Sequence, residues 1–261
     1  MPQPRTPGSA REGAGGPGQS DASPLTAARP PSTPRAVQRT RPEKPLRPAD
    51  LPILARDRRF VVLNKPAGLP VHAGPRGGDS VEGWFPLLAD RRPGPWLAHR
   101  LDADTAGCLL VALRRAALRA AQAEFAAGRA EKTYWAVVRG RPPEPEGLIE
   151  APLAKVSTRA GWRMRVDPAG RPAATAWRRL GGDDALSWLE LAPRTGRTHQ
   201  VRVHCAALGC PVLGDALYGG GAGPMHLLAR ALALHIAPPL AACAPPPPAM
   251  HAALRRCGWA P

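Results

Sequence analysis

The sequence predicts an α+β fold, because short apolar strands and helices follow one another without the regular strand–helix rhythm of a doubly wound sheet. Its 261 residues, 44% hydrophobic and 21% charged, are enough to bury one sizeable core. Both ends of the chain are rich in proline. We therefore predict one folded domain at residues 49–240, between a disordered basic Pro/Gly-rich arm at residues 1–48 and a Pro-rich C-terminal tail at residues 241–261. In that tail, Leu254 and Trp259 could pack on the domain.

In the first half of the domain, local signals predict a strand, a short helix, a second strand and a longer helix. The apolar run Phe60–Leu63 ends in turn-forming residues, and Cys108–Leu113 is apolar throughout, as expected of buried strands. Asp79 stands three residues before Glu82 and is placed to cap the short helix. The Ala-rich run Arg114–Ala127, ended by a glycine, favours a surface helix.

In the second half, two further strands and a helix are predicted. EKTYWAVVRG and LSWLELA have the composition of strands, and Lys132 and Tyr134 lie on one face of the first. RTHQVRVHCAALG places Val201, Cys205 and Leu208 at positions i, i+4 and i+7, with a glycine after them. This spacing is typical of a helix rather than a strand.

The charge of the chain indicates what it binds. Lysine and arginine number 36 against 20 acidic residues, a net charge of +16. Fixed cations bind polyanions by releasing counterions, so nucleic acid is the favoured partner and an anionic membrane is the alternative. No stretch has the roughly 18 consecutive apolar residues of a membrane span, and the N-terminus lacks the apolar core of a secretory signal. We therefore expect a soluble cytoplasmic protein that does not bind a membrane.

Cysteine and histidine patterns favour neither disulfides nor a metal site. The five cysteines are odd in number and form no CxxC pair, so we expect them to be reduced and mostly buried. The nearest set of metal-ligand types is His199, His204, Cys205 and Cys210. On a helix, however, His199 and His204 would project roughly 140° apart, and only donors on one face chelate together. We predict that the protein holds no metal.

Two segments carry the residue types of a reactive site. HRLDADTAG, residues 99–107, places Asp102 and Asp104 beside a histidine and an arginine. Turns at strand edges commonly display functional side chains, although aspartates also cap turns, and the pattern alone leaves both readings open. RTGRTHQVRVH, residues 194–204, is rich in arginine, which holds carboxylates or phosphates by paired hydrogen bonds. The alternative is a solvated basic helix face that touches phosphates non-specifically.

Four motifs, in order, carry a resemblance to a known family. They are NKPAGLPVH (64–72), HRLDADTAG (99–107), EKTY (131–134) and RTGRTHQVRVHCAALGCPVLGDALYG (194–219). They resemble the opening strand and turn, the HRLD-x-x-[TS]-x-G segment, the strand tyrosine motif and the RTGRTHQIRVH-x-x-x-x-G-x-P-[IV]-x-GD-x-x-Y segment of the RluA-type family of RNA pseudouridine synthases. The resemblance covers about residues 50–237, and four ordered motifs of this length are a specific signal.

The resemblance implies a role for six residues. Asp102 is the catalytic aspartate, Tyr134 stacks on the target base, and Arg202 pairs with Asp102. Arg100 fills the space left by the flipped nucleotide. The substrate-binding residues are then Arg100, Tyr134, Arg197, His199 and Arg202.

The resemblance also implies a fold, and the sequence departs from the family pattern at two positions. Residues 49–240 become a catalytic domain with a mixed, mostly antiparallel central sheet and flanking helices around a basic cleft. Ala106 stands where the family often has serine, and Leu228 stands where a histidine is usual. We see no separate small RNA-binding domain in front of the catalytic domain, only the arm.

The implied function is isomerisation of specific uridines in structured ribosomal or transfer RNA to pseudouridine. The uridine is flipped out of its fold, because the glycosidic bond is not accessible in a stacked base. Asp102 assists cleavage of that bond, the uracil turns, and carbon 5 is joined to the ribose in place of nitrogen 1. Because the reaction is an isomerisation, we expect no metal or other cofactor, and we expect a monomer.

Two other functions are compatible with parts of the sequence. One is a non-catalytic RNA-binding protein that retains the synthase fold, against which the intact set of Asp102, Tyr134 and Arg202 argues. The other is a phosphotransferase or hydrolase using His199 and the arginines, but the sequence lacks a Gly-rich phosphate loop and a carboxylate metal cage.

Deleting the arm tests its predicted role as an electrostatic tether. Removal of residues 1–48 should weaken RNA affinity and flatten its dependence on salt concentration, because phosphate contacts are lost, while the chemical step is nearly unchanged. Affinity is measured over a salt series, and the chemical step by single turnover at saturating RNA. Loss of the single-turnover rate in a folded truncated protein would contradict this role.

Overall fold

The computed structural model of the chain describes residues 52–74, 77–89, 93–159 and 161–261, and the predicted arm at residues 1–48 lies outside this part. The strands are β1 (Ile53–Arg56), β2 (Phe60–Lys65), β3 (Trp96–Leu97), β4 (Ala106–Ala112), β5 (Glu131–Arg139), β6 (Glu146–Glu150), β7 (Leu153–Thr158), β8 (Gly161–Val166), β9 (Ala174–Gly182), β10 (Leu186–Pro193), β11 (Leu227–Leu234) and β12 (Leu240–Cys243). The helices are α1 (Phe85–Leu88), α2 (Arg115–Ala126), α3 (Gln200–Ala207) and α4 (Pro248–Arg256), and a 3₁₀ turn (Val81–Trp84) precedes α1.

The central sheet is mixed and mostly antiparallel, which confirms the predicted fold class. Its described strands pair in the order β1-β2-β4-β11-β5-β10-β9-β6, with β3 beside β4 and β12 beside β11. Among the described strand pairs only β4 and β11 are parallel, with Leu228 opposite Ala106 and Ala229 opposite Gly107. β7 and β8 form a separate hairpin. Because β4, β11 and β5 are neighbours, the HRLD motif before β4 and the tyrosine motif in β5 come together.

Both faces of the sheet are covered at its centre, which explains why Phe60–Leu63 of β2 and the whole of β4 are apolar. Successive side chains of a strand point to opposite faces. Phe60 and Val62 therefore pack in one core cluster with side chains of α2 and α4. Val61 and Leu63 pack in a second cluster with the 3₁₀ turn and α1. The continuous apolar runs in the sequence thus mark strands with two buried faces.

The helix α3 confirms the helical spacing predicted for its segment. Val201 and Cys205 pack in a third cluster against β5 and β10, with Leu208 at its margin. These contacts seat α3 on the sheet next to Tyr134 of β5, which packs against the same cluster. Arg202 follows Val201 in this helix, so the packing of α3 on the sheet fixes its position as well.

The C-terminal segment at residues 241–261, expected as a Pro-rich tail, instead forms part of the fold. Most of β12 and the whole of α4 lie beyond residue 240. Met250 and Leu254 are fully buried in the first core cluster, and Trp259 packs against it. The apolar spacing of Met250 and Leu254 on one helix face explains this, since burying such a face stabilises a short helix that starts after prolines.

The short helix after residue 79 begins differently from the prediction. The residue at the N-cap is Ser80 rather than Asp79, and no side chain caps the turn by a hydrogen bond. The first turn is 3₁₀ and passes into α1 at Phe85. Burial of Val81, Trp84 and Leu88 in the second core cluster, rather than capping, therefore holds this segment.

The cysteines have free thiols; Cys108, Cys205, Cys210 and Cys257 are buried, and Cys243 is exposed. Within the described residues, no three His, Cys, Asp or Glu side chains form a group that could hold a metal ion. His204 donates a hydrogen bond from Nε2 to the Ala151 carbonyl (3.0 Å), and its Nδ1 lies 2.8 Å from the hydroxyl of Thr175. None of the described helices is both long and apolar enough to span a membrane.

Gly107 in β4 allows a close contact that no other residue would allow. Its φ is +109°, and a Cβ at this position would collide with the carbonyl of Ala229 in β11. Gly107→Ala should therefore lower the free energy of unfolding by at least about 3 kcal/mol, because a backbone in the sheet would have to move. Gly68→Ala is the control: Gly68 also has a positive φ (+85°), but a Cβ there meets nothing within 4 Å. It should cost about 1 kcal/mol. Urea unfolding measures both, and equal losses would show that close approach is not the constraint.

Candidate active site

A pocket of about 400 Å³ lies where the loop before β4, the strand β5 and the start of α3 meet. Its lining includes all six residues that the resemblance singled out, namely Arg100, Asp102, Tyr134, Arg197, His199 and Arg202. These residues come from three segments separated by up to about a hundred positions. The fold therefore brings together every predicted site residue.

The loop that carries Asp102 is fixed from behind by a buried lysine. Lys65, at the end of β2, is fully buried, and its ammonium donates hydrogen bonds to the carbonyls of Pro66 (2.8 Å), Leu69 (2.8 Å) and Ala103 (2.7 Å). The Ala103 carbonyl also accepts the backbone N–H of Gly68 at 2.9 Å. The backbone between the two aspartates is thus clamped to the turn after β2.

The two aspartates of this clamped loop lie in different surroundings. Asp102 is 19% exposed at its side chain and faces the pocket, whereas Asp104 is exposed and is not part of the lining. Burial lowers the pKa of Lys65 to about 7, and the carboxylates of Asp104 and Asp102 act in the opposite direction. Lys65 was not among the sequence-predicted site residues, because one lysine in an apolar strand carries no local signal of its partners.

Arg202 contacts Asp102 through one hydrogen bond and grips a different carboxylate with two. Its Nε and Nη2 donate to the two oxygens of Asp215 at 2.7 and 2.8 Å. Its Nη1 donates to Oδ2 of Asp102 at the longer distance of 3.4 Å. The predicted contact with Asp102 is present, but the paired grip belongs to Asp215. Arg202 bridges two carboxylates, one buried and one facing the pocket.

Asp215 is a site residue that sequence reasoning did not single out. It is 1% exposed and also accepts the backbone N–H groups of Leu217 (3.0 Å) and Tyr218 (3.1 Å). Burial opposes its ionisation, but the hydrogen bonds from Arg202 and the backbone hold the pKa of Asp215 below its ordinary value. The signal was present in the sequence, because the motif GDALYG contains both Asp215 and Tyr218.

His199 adopts the left-handed backbone conformation with φ +53°, the one positive φ of a non-glycine among the described residues. Its Nδ1 lies 2.8 Å from the hydroxyl of Tyr218, which also accepts the backbone N–H of Met164 at 3.0 Å. Because the Tyr218 oxygen already accepts from Met164, we assign the Tyr218 hydroxyl proton to the hydrogen bond with Nδ1, and Nε2 is then the protonated nitrogen of the neutral imidazole. Nε2 lies 3.9 Å from Oδ2 of Asp102.

The charge state of His199 follows from its surroundings. Burial lowers its pKa, the Asp102 carboxylate opposes that shift, and the Arg202 guanidinium adds to it. The neutral imidazole is therefore favoured at neutral pH. His199 thus presents an N–H donor, not a cation, to the reacting side of the pocket.

The loop before α3 is held by Gln200. Its amide oxygen accepts the hydroxyl of Thr195 (2.6 Å) and the backbone N–H of Arg197 (3.0 Å), and its nitrogen donates to Ala174 and Thr175. The Arg197 side chain donates to the Pro172 carbonyl at 3.0 Å. Arg197 is thus tied at both its backbone and its guanidinium, and it forms one wall of the pocket.

Two further residues complete the lining. Burial and the nearby Asp102 raise the pKa of Tyr134, so its phenol stays protonated at neutral pH. Arg100 is exposed beside Asp102. Its neighbour His99 is structural: it accepts the Leu110 backbone N–H at 2.9 Å and lies 5.0 Å from the ring of Phe125.

The two departures from the family pattern are neighbours in the sheet. Leu228 of β11 is paired with Ala106 of β4, and both side chains are buried in the first core cluster. Neither residue lines the pocket. An apolar pair therefore occupies this position of the core, away from the polar side chains that line the pocket.

The pocket combines one partly exposed carboxylate, a buried guanidinium beside it, a neutral imidazole donor, a protonated phenol, the exposed Arg100 and the half-buried Arg197. Such a set can bind an anionic backbone and hold a planar ring against the tyrosine while the carboxylate reacts. The described lining has no Gly-rich phosphate loop at a helix N-terminus of the kind phosphotransferases use.

Comparison with known proteins identifies the family. The model of the RNA pseudouridylate synthase family matches residues 59–207. An RNA pseudouridine synthase of Zymomonas mobilis is 41% identical over 177 residues, which are 65% of this chain and 81% of that protein. Ribosomal large subunit pseudouridine synthase C of Vibrio parahaemolyticus is 37% identical over 171 residues, 64% of this chain and 52% of that protein. The match therefore spans most of the Zymomonas protein but only about half the length of the Vibrio protein.

Two solved structures share the fold. Human RNA pseudouridylate synthase domain containing 4 aligns with a TM-score of 0.67 and 28% identity over 78% of this chain and 92% of its own. Human RNA pseudouridylate synthase domain containing 1 aligns with a TM-score of 0.65 and 31% identity over 78% and 86%. By the family match, the sequence identity and the fold together, this chain belongs to the RluA-type family of RNA pseudouridine synthases, isomerases that act on uridine in RNA.

Proposed function

We propose that this chain converts specific uridines of structured ribosomal or transfer RNA to pseudouridine, with Asp102 as the reacting carboxylate. The observation that carries the proposal is the position of Asp102. It faces the pocket with one oxygen near both Arg202 (3.4 Å) and His199 (3.9 Å), on a backbone clamped by Lys65. A carboxylate held in this way can act on a ring brought to it.

The proposed reaction is an isomerisation whose atoms balance without a co-reactant. The bond between nitrogen 1 and the ribose breaks with the help of Asp102, the uracil turns in the pocket, and carbon 5 bonds to the ribose. Carbon 5 then loses its proton, and nitrogen 1 gains one. We propose no metal or cofactor in these steps and a monomer acting in the cytoplasm.

The other site residues have proposed roles that follow from their geometry. Tyr134 offers the ring of a neutral phenol to stack on the uracil. The neutral His199 offers its Nε2–H as a hydrogen-bond donor beside Asp102. Arg100, exposed at the rim, would fill the space that the flipped nucleotide leaves in the RNA. Arg197, in the loop before α3 that forms part of the lining, would contact the RNA.

The two aspartates of the HRLD segment provide a matched pair for testing the reacting group. Asp102→Asn should abolish pseudouridine formation and still bind RNA, because the amide keeps the shape and hydrogen bonding but has neither charge nor basicity. Asp104→Asn should keep most of its turnover and lose at most about 1 to 2 kcal/mol of stability. Single-turnover release of tritium from carbon 5 of labelled uridine measures the reaction. An active Asp102→Asn enzyme would refute the mechanism.

Replacing Tyr134 separates its ring from its hydroxyl. Tyr134→Phe keeps a stacking face and should retain more activity than Tyr134→Ala, which loses stacking worth about 1 to 3 kcal/mol. Turnover by both variants, with folding checked by circular dichroism, measures the difference. If both variants turn over as fast as the wild type, Tyr134 is a core residue only.

Asp215 is tested against Asp183, a surface aspartate with similar bonds. Both accept two guanidinium N–H groups and two backbone N–H groups, but Asp215 is buried and Asp183 is exposed. Asp215→Asn should lose most of its activity and about 3 to 5 kcal/mol of stability at pH 7, because Arg202 keeps a buried charge without its partner. Asp183→Asn should lose less stability and no activity.

The pH dependence of this stability difference has a definite sign. Because the folded pKa of Asp215 lies below the unfolded value of 3.8, its contribution is present above about pH 4 and is lost as the pH falls through the folded pKa. The gap between the wild type and Asp215→Asn, measured by urea unfolding, should therefore shrink below pH 4. A gap that stays constant down to the acid limit would contradict the pairing.

A further inference from the structure

Tyr218 lies behind the pocket, and its hydroxyl reaches the pocket through His199. The side chain is half-buried and is not part of the lining. Its oxygen lies 2.8 Å from Nδ1 of His199, and the two rings meet edge to face with centroids 5.7 Å apart. The other nitrogen of the same imidazole, Nε2, lies 3.9 Å from Oδ2 of Asp102. The Tyr218 hydroxyl therefore acts on the reacting carboxylate through the imidazole.

The direction of the Tyr218 hydroxyl is set by a backbone group. The N–H of Met164 donates to the Tyr218 oxygen at 3.0 Å, and because an N–H cannot accept a proton, the hydroxyl proton is left for Nδ1 of His199. Burial raises the pKa of Tyr218, so the phenol keeps this proton at neutral pH. Tyr218 is thus a donor with one target, which Met164 selects.

Both rings of this contact are held by further neighbours. The Tyr218 backbone N–H donates to Asp215 at 3.1 Å, and the guanidinium carbon of Arg202 lies 5.1 Å from the centre of its ring. The His199 ring is stacked on Trp162, with centroids 5.1 Å apart and an interplanar angle of 26°. A flip of the imidazole that exchanged Nδ1 for a ring carbon would lose the hydrogen bond from Tyr218. The orientation that directs Nε2 towards Asp102 is therefore the one that Tyr218 stabilises.

Charged groups surround His199 on every side and pull its protonation in both directions. They come from the loop before β4, from α3 with the turn after it and from the β7–β8 hairpin, and they are Asp102, Arg100, Arg202, Asp215 and Lys155. The two carboxylates favour an imidazolium, whereas burial and the two arginines oppose it. Lys155 stands behind the stacked ring, its ammonium 4.7 Å from the centre of Trp162. An imidazolium would also direct an Nδ1–H at an oxygen that already accepts from Met164, so the Tyr218 contact favours the neutral form.

We propose that Tyr218 is a positioning residue, which holds His199 as a neutral imidazole with its proton on Nε2 and so keeps Asp102 free to react at neutral pH. This inference rests on the proposed function, because it takes Asp102 as the reacting carboxylate. An imidazolium in the same place would pair with Asp102 and lower its basicity, as a nearby opposite charge does. Arg202 already contacts that carboxylate at 3.4 Å, and a second cation would occupy the side of Asp102 that faces His199.

The experiment replaces Tyr218 by Phe, which removes the hydroxyl and keeps the ring beside Arg202. Long-range ¹H–¹⁵N spectra of the full-length chain with labelled histidine are recorded over about pH 5 to 8, where histidine changes charge. The signals of His199 are assigned by their loss in His199→Gln. The wild type should carry its proton on Nε2, and Tyr218→Phe should raise the pKa of His199 by about one unit, the shift that one lost hydrogen bond corresponds to. Tyr134→Phe removes the hydroxyl of the other tyrosine of the chain and, as the matched control, should change neither property.

The second readout is the pH dependence of single-turnover pseudouridine formation. On the acid side Tyr218→Phe should be slower than the wild type by about tenfold, which is one unit of pKa, and the difference should shrink as the pH rises. A merely structural defect would lower the rate by the same factor at every pH. In His199→Gln the side-chain amide still donates a hydrogen bond but does not titrate, so adding Tyr218→Phe there should have no pH-dependent effect.

The two readouts separate this inference from the proposed function. If the wild type isomerises uridine but Tyr218→Phe leaves the pKa of His199 unchanged, or slows the reaction equally at every pH, the inference is overturned and the proposed function stands. If the wild type forms no pseudouridine, the proposed function fails, and the spectra still decide whether Tyr218 sets the protonation of His199. Urea unfolding confirms that Tyr218→Phe is folded, since the Met164 N–H loses its acceptor. The wild-type spectrum is decisive without any variant, because a proton on Nδ1 at neutral pH would overturn the inference.

Discussion

The buried pair between Arg202 and Asp215 is the interaction on which the site depends. A guanidinium is planar, so two hydrogen bonds to Asp215 fix its plane and direct its remaining nitrogen at Asp102. Burying such a pair costs desolvation free energy, and this cost can exceed the attraction. The pair is therefore better explained as a device that positions a charge next to Asp102 than as a source of stability.

The turn that carries Asp215 organises a second set of contacts. Its backbone closes on the Asp215 carboxylate and places Tyr218 between His199 and the β7–β8 hairpin. The Tyr218 ring also lies against Arg202, with the guanidinium carbon 5.1 Å from the ring centre. One short turn after α3 thus sets the direction of Arg202 and the tautomer of His199.

Asp102 is held by contacts that do not involve the pair between Arg202 and Asp215. The parallel contact of β4 with β11 needs a glycine at position 107, and the loop before β4 is clamped by Lys65 from β2. The Asp102 carboxylate and the Arg202 guanidinium are therefore held by separate parts of the fold, and the sheet fixes the distance between them. This arrangement accounts for a single contact of 3.4 Å between them, which leaves the carboxylate accessible from the pocket.

Much of the fold and of the site could be predicted from the sequence, because these features have local signals. The strands with two buried faces are continuous apolar runs, as in Phe60–Leu63, and α3 has apolar residues at helical spacing. The six pocket residues lie within motifs that resemble a known family. Asp215 and Tyr218 lie in one of those motifs as well, but their letters do not tell which side chain they contact.

Only the tertiary structure decided which side chains contact one another. Whether Arg202 grips Asp102 or Asp215 depends on where the turn after α3 places its carboxylate, and Lys65 became a clamp because β2 ends behind the Asp102 loop. The C-terminal segment likewise joined the core because the sheet offered an apolar face for Met250 and Leu254. The sequence by itself determined the local elements and the chemistry of the side chains. It did not determine their pairing, because contacts between residues far apart in the chain depend on the packing of the whole sheet.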